Sequence, residues 1–116
     1  MTHRHRLRGA AAFAVVLRRG QRFEGERLQL VAVPAGGTDG RVGYVIGKKL
    51  LARAVDRNRL KRMLREAIRA RRPAMNAFDV VVRLRRPCAA ADIAGAVAEA
   101  SALLDTLGSR ASGRPR

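Results

Sequence analysis

Tryptophan is absent from this sequence, and the aromatic residues amount to one tyrosine and three phenylalanines, 3% of the chain. A core therefore has to be built from aliphatic side chains, which in 116 residues allows one compact domain of modest stability and leaves no room for two enzymatic domains. Cysteine occurs once, at Cys88. That excludes an intramolecular disulfide and any zinc-type cysteine spacing, and it fits a reducing, cytoplasmic setting. Long apolar runs are missing too. The stretch from Ala10 to Leu17 is closed by Arg18 and Arg19, well short of the roughly 20 residues that cross a bilayer, so neither a membrane span nor a secretory signal is read there. Acidic residues are scarcest among the charged ones: nine against 25 lysines and arginines, a net charge of +16. Self-repulsion of that size points to a polyanionic partner.

The pattern of what is present predicts an α+β domain, a two-layer sandwich of a small sheet and helices. Residues 7–19 read as a first helix, with Phe13, Val16 and Leu17 on one face and Gly20 as its stop. Arg27–Val33 and Arg41–Ile46 read as strands joined by AGGTDG, hence as an antiparallel hairpin. Asp56 is the expected cap of a second helix, Arg57 to about Arg71, which carries the strongest periodicity in the chain through Leu60, Met63, Leu64, Ala67 and Ile68. Pro73 ends it. Phe78–Leu84 reads as a central strand closed by Pro87, and Asp92 as the cap of a last helix through Ile93, Val97, Ala100, Leu104 and Leu107, with Gly108 as its C-terminal cap. Residues 1–108 form the expected domain and 109–116 a mobile basic tail. If the strands around the second helix are parallel, a right-handed crossover is the default.

The acids, histidines, cysteine and glycines offer little catalytic chemistry. A metal-dependent nuclease needs converging carboxylates, but Glu24, Glu26, Asp56 and Glu66 are scattered, the last two on different faces of one helix. His3 and His5 lie in a basic arm without an orienting partner, and Cys88 after Pro87 has the character of a buried filler. GYVIGKK has three residues between its glycines where a phosphate-binding loop has four, and Lys49 where that loop has a hydroxyl. No catalytic and no metal-ligating residue is assigned.

The basic stripe is different. A merely solvated helix face mixes signs, whereas here Glu66 stands alone against eight basic residues between Arg57 and Arg72. Asn58, Lys61, Arg62, Arg65 and Arg69 cluster opposite the apolar face, with Arg57 and Arg59 at its edges, and arginine's planar fork suits phosphate and base contacts. Nucleic-acid binding is the reading that follows. A structural ribosome-associated protein shares this size and charge, and a basic module for nucleoid or membrane surfaces is a further rival.

Residues 41–69, RVGYVIGKKLLARAVDRNRLKRMLREAIR, resemble the signature of the protein subunit of bacterial ribonuclease P: a glycine-bearing strand, a lysine pair, then RNR-x-KR-x-x-RE. RHRLRGAAAFAVVLRRG and FDVVVRLRRP are more loosely similar. The resemblance implies a left-handed βαβ crossover, as in the second domain of ribosomal protein S5, contrary to the default. It implies that a large RNA, using Mg2+ that no protein side chain ligates, hydrolyses the phosphodiester at the 5′ end of mature tRNA in its precursor, with the protein, one per RNA, assisting. Carried over, Lys48, Lys49, Arg57, Asn58, Arg59, Lys61, Arg62 and Arg65 would contact the catalytic RNA. Phe13, Leu17 and Val31 would line a groove for the single-stranded 5′ leader. Leu17 and Val31 are aliphatic where many members have aromatics, so leader binding is expected to depend more on charge than on stacking.

Overall fold

The computed structural model describes residues 6–36, 40–72 and 74–112. Helix α1 spans Ala10–Arg19, strands β1 to β3 Gln21–Glu24, Leu28–Pro34 and Val42–Val45, helix α2 Ala54–Arg69, strand β4 Phe78–Leu84 and helix α3 Ile93–Ser112. The sheet runs in the order β1-β2-β4-β3. β2 is antiparallel to both β1 and β4, while β3 is parallel to β4, so β3, α2 and β4 form the βαβ unit.

The expected hairpin between residues 27–33 and 41–46 does not form, because β4 lies between β2 and β3. The hairpin partner of β2 is β1, a four-residue strand whose one buried side chain is Phe23, too short and polar to register as a strand in the sequence. The physical reason lies in burial: β2 and β4 are buried on both faces over most of their length, and such strands bury best with a neighbour on each side. The shorter β1 and β3 take the edges.

The two faces of the sheet carry separate clusters. Against α2 and α3 pack Leu28, Leu30, Val42, Val80, Val82 and Leu84, meeting Leu60, Leu64, Ile68, Ile93 and Leu104. Beneath α1 lie Val31 and Val81 with Leu7 and Val16. Cys88 is a buried free thiol in the larger cluster, and burial pushes its ionisation up, as befits a filler.

Helix boundaries and caps differ from expectation at four places. α1 begins at Ala10 rather than residue 7, because Arg6 and Leu7 are extended along β3, with the Leu7 amide donating to the Val42 carbonyl at 2.9 Å. Gly9, at φ +87°, makes the turn from that extension into the helix. α2 begins at Ala54 with Arg53 in the cap position, so Asp56 sits inside the first turn, where its charge still favours the helix dipole. α3 is entered through a 3-10 turn, Ala90–Asp92, and Asp92 faces Arg27 at 3.8 Å instead of capping. Gly108 does not end α3: its φ is not positive, the backbone passes through it as helix, and residues 109–112 of the expected tail are helical. Pro73, His3, His5 and residues 113–116 lie outside the described residues.

Candidate nucleic-acid interface

α2 turns Leu60, Leu64 and Ile68 into the core, which leaves Asn58, Arg59, Arg62 and Arg65 exposed and Lys61 half-buried. Among the described residues, Arg59, Lys61, Arg62 and Arg65 have no acidic partner; the one ion pair on this helix, Glu66–Arg69 at 3.8 Å, is solvent-exposed and weak. Some arginines elsewhere are compensated. Arg27 pairs with Glu99 at 2.9 Å, Arg71 with Asp105 at 2.8 Å and Arg41 with Asp79 at 3.4 Å. Arg71 holds the Asp105 carboxyl below its ordinary range. The carboxylates of α3 thus neutralise Arg27 and Arg71, while the exposed cations of α2 remain uncompensated.

Arg57 is the exception on α2. Its Nη1 donates to the carbonyls of Leu51 and Ala52, at 2.9 and 2.7 Å, so it clamps the turn between β3 and the helix and has less of its fork to offer a ligand. The clamped turn carries Lys48 and Lys49, both exposed. Its far end is tied to the exit of β4, where the Cys88 amide donates to the Leu50 carbonyl at 2.9 Å. Because β3 and β4 are parallel, the lysine turn, the residues after β4 and the start of α2 gather at one end of the sheet.

On the opposite face, Phe13 and Leu17 are half-buried, four residues apart on one flank of α1. Phe13 rests on β3 at Gly43, where a Cβ would stand 2.3 Å from the ring's Cζ. Val31 does not belong to this lining: it is 0% exposed beneath α1, because a side chain smaller than an aromatic ends inside the cluster with Val16 and Val81. Beyond Gly43, Val81 and Val31, the next level on that face is Val45, Arg83, Gln29 and Glu24. Gln29 donates from Nε2 to the Glu24 carboxylate at 2.6 Å and accepts at Oε1 from Arg83 at 3.2 Å. Gln29 and Arg83 did not emerge from the sequence, and Glu24 entered only as one of the scattered acids; the available signal was a glutamine in β2 and an arginine in β4, set among mostly apolar residues.

Among the described residues no three metal-ligating side chains gather, and no helix is long and apolar enough to cross a membrane.

The family model for ribonuclease P matches residues 1–108. The chain belongs to the ribonuclease P protein family. The ribonuclease P protein component of Nitrosomonas eutropha is 40% identical over 101 residues, covering 85% of this chain and 84% of that one. That of Bordetella parapertussis is 39% identical over 105 residues, covering 86% and 85%. Among solved structures, the RNase P protein of Staphylococcus aureus superposes with a TM-score of 0.74 at 23% identity, over 89% of this chain and 94% of that one, a likeness of fold. The RNase P protein of Thermotoga maritima gives a TM-score of 0.69 at 26% identity, over 93% and 98%. As a ribonuclease P protein, the chain is a subunit of the ribonucleoprotein endonuclease that processes the 5′ ends of tRNA, and it has an RNA partner. The ribosome-associated alternative is not favoured by any of these relatives.

Proposed function

We propose that this subunit binds the catalytic RNA of ribonuclease P with Lys48, Lys49, Asn58, Arg59, Lys61, Arg62 and Arg65, while Arg57 holds the lysine turn against the helix. The groove beside α1, walled by Phe13 and Leu17, takes the single-stranded 5′ leader of precursor tRNA. The observation that carries this reading is the meeting of two surfaces at one end of the sheet. The uncompensated face of α2 and the lysine turn adjoin the exit of β4, from which the groove floor runs back toward Phe13. Leader and catalytic RNA would then be gripped side by side by one protein molecule per RNA, in the cytoplasm. Mg2+ belongs to the RNA subunit in this scheme, and hydrolysis is the RNA's chemistry; the protein holds, orients and screens phosphates.

The test is reconstitution. The protein is expected to accelerate cleavage of precursor tRNA by the RNA subunit at low Mg2+, and to cleave nothing by itself. Replacing Arg59, Arg62 and Arg65 together by alanine removes three contacts of roughly 1 kcal/mol each, so affinity for the catalytic RNA should drop by about two orders of magnitude with the circular dichroism unchanged. Undiminished affinity in that variant would remove α2 from the interface.

A further inference from the structure

The polar row across the sheet is built in one direction. Gln29 is 2% exposed and hydrogen-bonded at both ends of its amide. Its orientation is forced, because the Glu24 carboxylate only accepts and the Arg83 guanidinium only donates, so a flipped amide would set like groups against each other on both sides. The amide fixes one edge of the Arg83 fork. Among the described residues Arg83 has no carboxylate partner, unlike Arg27, Arg41 and Arg71, and it is half-buried rather than enclosed. The one carboxylate in the row stands two strands away at the β1 edge.

Register places Arg83 beside Phe13. Gly43 pairs with Val81 and Val45 with Arg83, which makes Arg83 the diagonal neighbour of the glycine under the Phe13 ring. Val45, 37% exposed, is the apolar floor next to it. A stacking surface and an oriented guanidinium without a carboxylate partner therefore lie at neighbouring levels of one sheet face; the carboxylate of Asp79, on the other side of Val81 on that face, is paired with Arg41.

We infer that Arg83, oriented by Gln29 and Glu24, binds a backbone phosphate of the leader next to the base on Phe13, and that the Glu24 charge keeps the leader over β4 and β3. This rests on the leader groove proposed above. It supplies what the aliphatic Leu17 cannot: a contact that holds single-stranded RNA without stacking, whatever its sequence. Gln29 is a positioning residue, acting only through Arg83.

The experiment measures, for reconstituted holoenzyme, the affinity ratio between precursor tRNA with a short leader and mature tRNA, as a function of salt. Arg83→Gln should lower that ratio about tenfold, the effect of losing one hydrogen-bonded charge contact. It should also make the log–log salt dependence of the ratio shallower by about 0.7, the signature of one single-strand phosphate. Mature tRNA binding and the melting temperature should stay near wild type. Gln29→Met should lower the ratio by a smaller factor and keep the salt slope, since the charge remains but its orientation is lost. An unchanged ratio in Arg83→Gln, alongside a reduced one in Phe13→Ala, overturns this inference and leaves the groove reading standing. An unchanged ratio in both overturns the groove reading itself. A lowered melting temperature with all RNA binding weakened alike would make Arg83 a structural member of the sheet and reject the inference.

Discussion

Gly43 and Phe13 occupy one space. A Cβ at residue 43 would come within 2.3 and 2.6 Å of the phenylalanine ring, so Gly43→Ala must displace the ring or part β3 from α1. The expected cost is about 1–3 kcal/mol by denaturant titration, and Phe13→Leu in the same chain should recover part of it, a non-additivity that two independent sites would not show. Tyr44, two pairs from the Arg6 bridge on the same strand, packs against the larger core. Burial pushes its phenol up to about 12, with Arg65 and Arg72 pulling the other way. The unfolded chain loses that proton near pH 10, the folded one later. Stability is therefore complete below pH 10 and falls as pH rises from there toward 12, by on the order of 2–3 kcal/mol in all. Tyr44→Phe should flatten that alkaline decline in pH-dependent denaturation; a decline as steep as wild type would mean the phenol is not desolvated.

At the scale of elements, the start of α2, its middle and the middle of α3 do different work. Arg57→Ala frees the carbonyls of Leu51 and Ala52 from their clamp and should cost about 1 kcal/mol of stability, whereas Arg62→Ala, exposed and unpaired, should cost almost none. Comparing their denaturation midpoints separates clamp from ligand contact on one helix. On α3, Glu99 accepts from the amides of Arg27 and Leu28, at 2.7 and 3.3 Å, and from the Arg27 guanidinium at 2.9 Å, pinning the turn between β1 and β2 to the helix. Glu99→Ala should lower stability by about 2–3 kcal/mol and speed hydrogen exchange in that turn. The periodicity of α2 was legible because its apolar and cationic faces are each continuous. β1 was not, since four residues with a single buried side chain carry too little pattern to be seen before their partner is known.

Over the whole molecule the charge of +16 is compensated at few places, at Arg27, Arg41, Arg69 and Arg71. Salt should therefore act with opposite signs on two properties. Screening relieves self-repulsion and should raise the melting temperature of the free protein, while it weakens RNA binding through loss of counterion release. A melting temperature that falls with added salt would mean that the pairs at Arg27, Arg41 and Arg71 outweigh the repulsion. Composition, the cationic face of α2 and the signature from Arg41 to Arg69 are local or additive properties of the chain, so they could be read in order along it: an RNA-binding α+β protein of the ribonuclease P family. Pairing between distant segments could not. That β4 enters between β2 and β3, that Val31 is sealed beneath α1, that Arg57 faces its own turn, and that Glu24, Gln29 and Arg83 align across three strands are all settled by strand order and register. Those follow from which strands bury both faces, a competition among segments far apart in sequence that only the assembled sheet resolves.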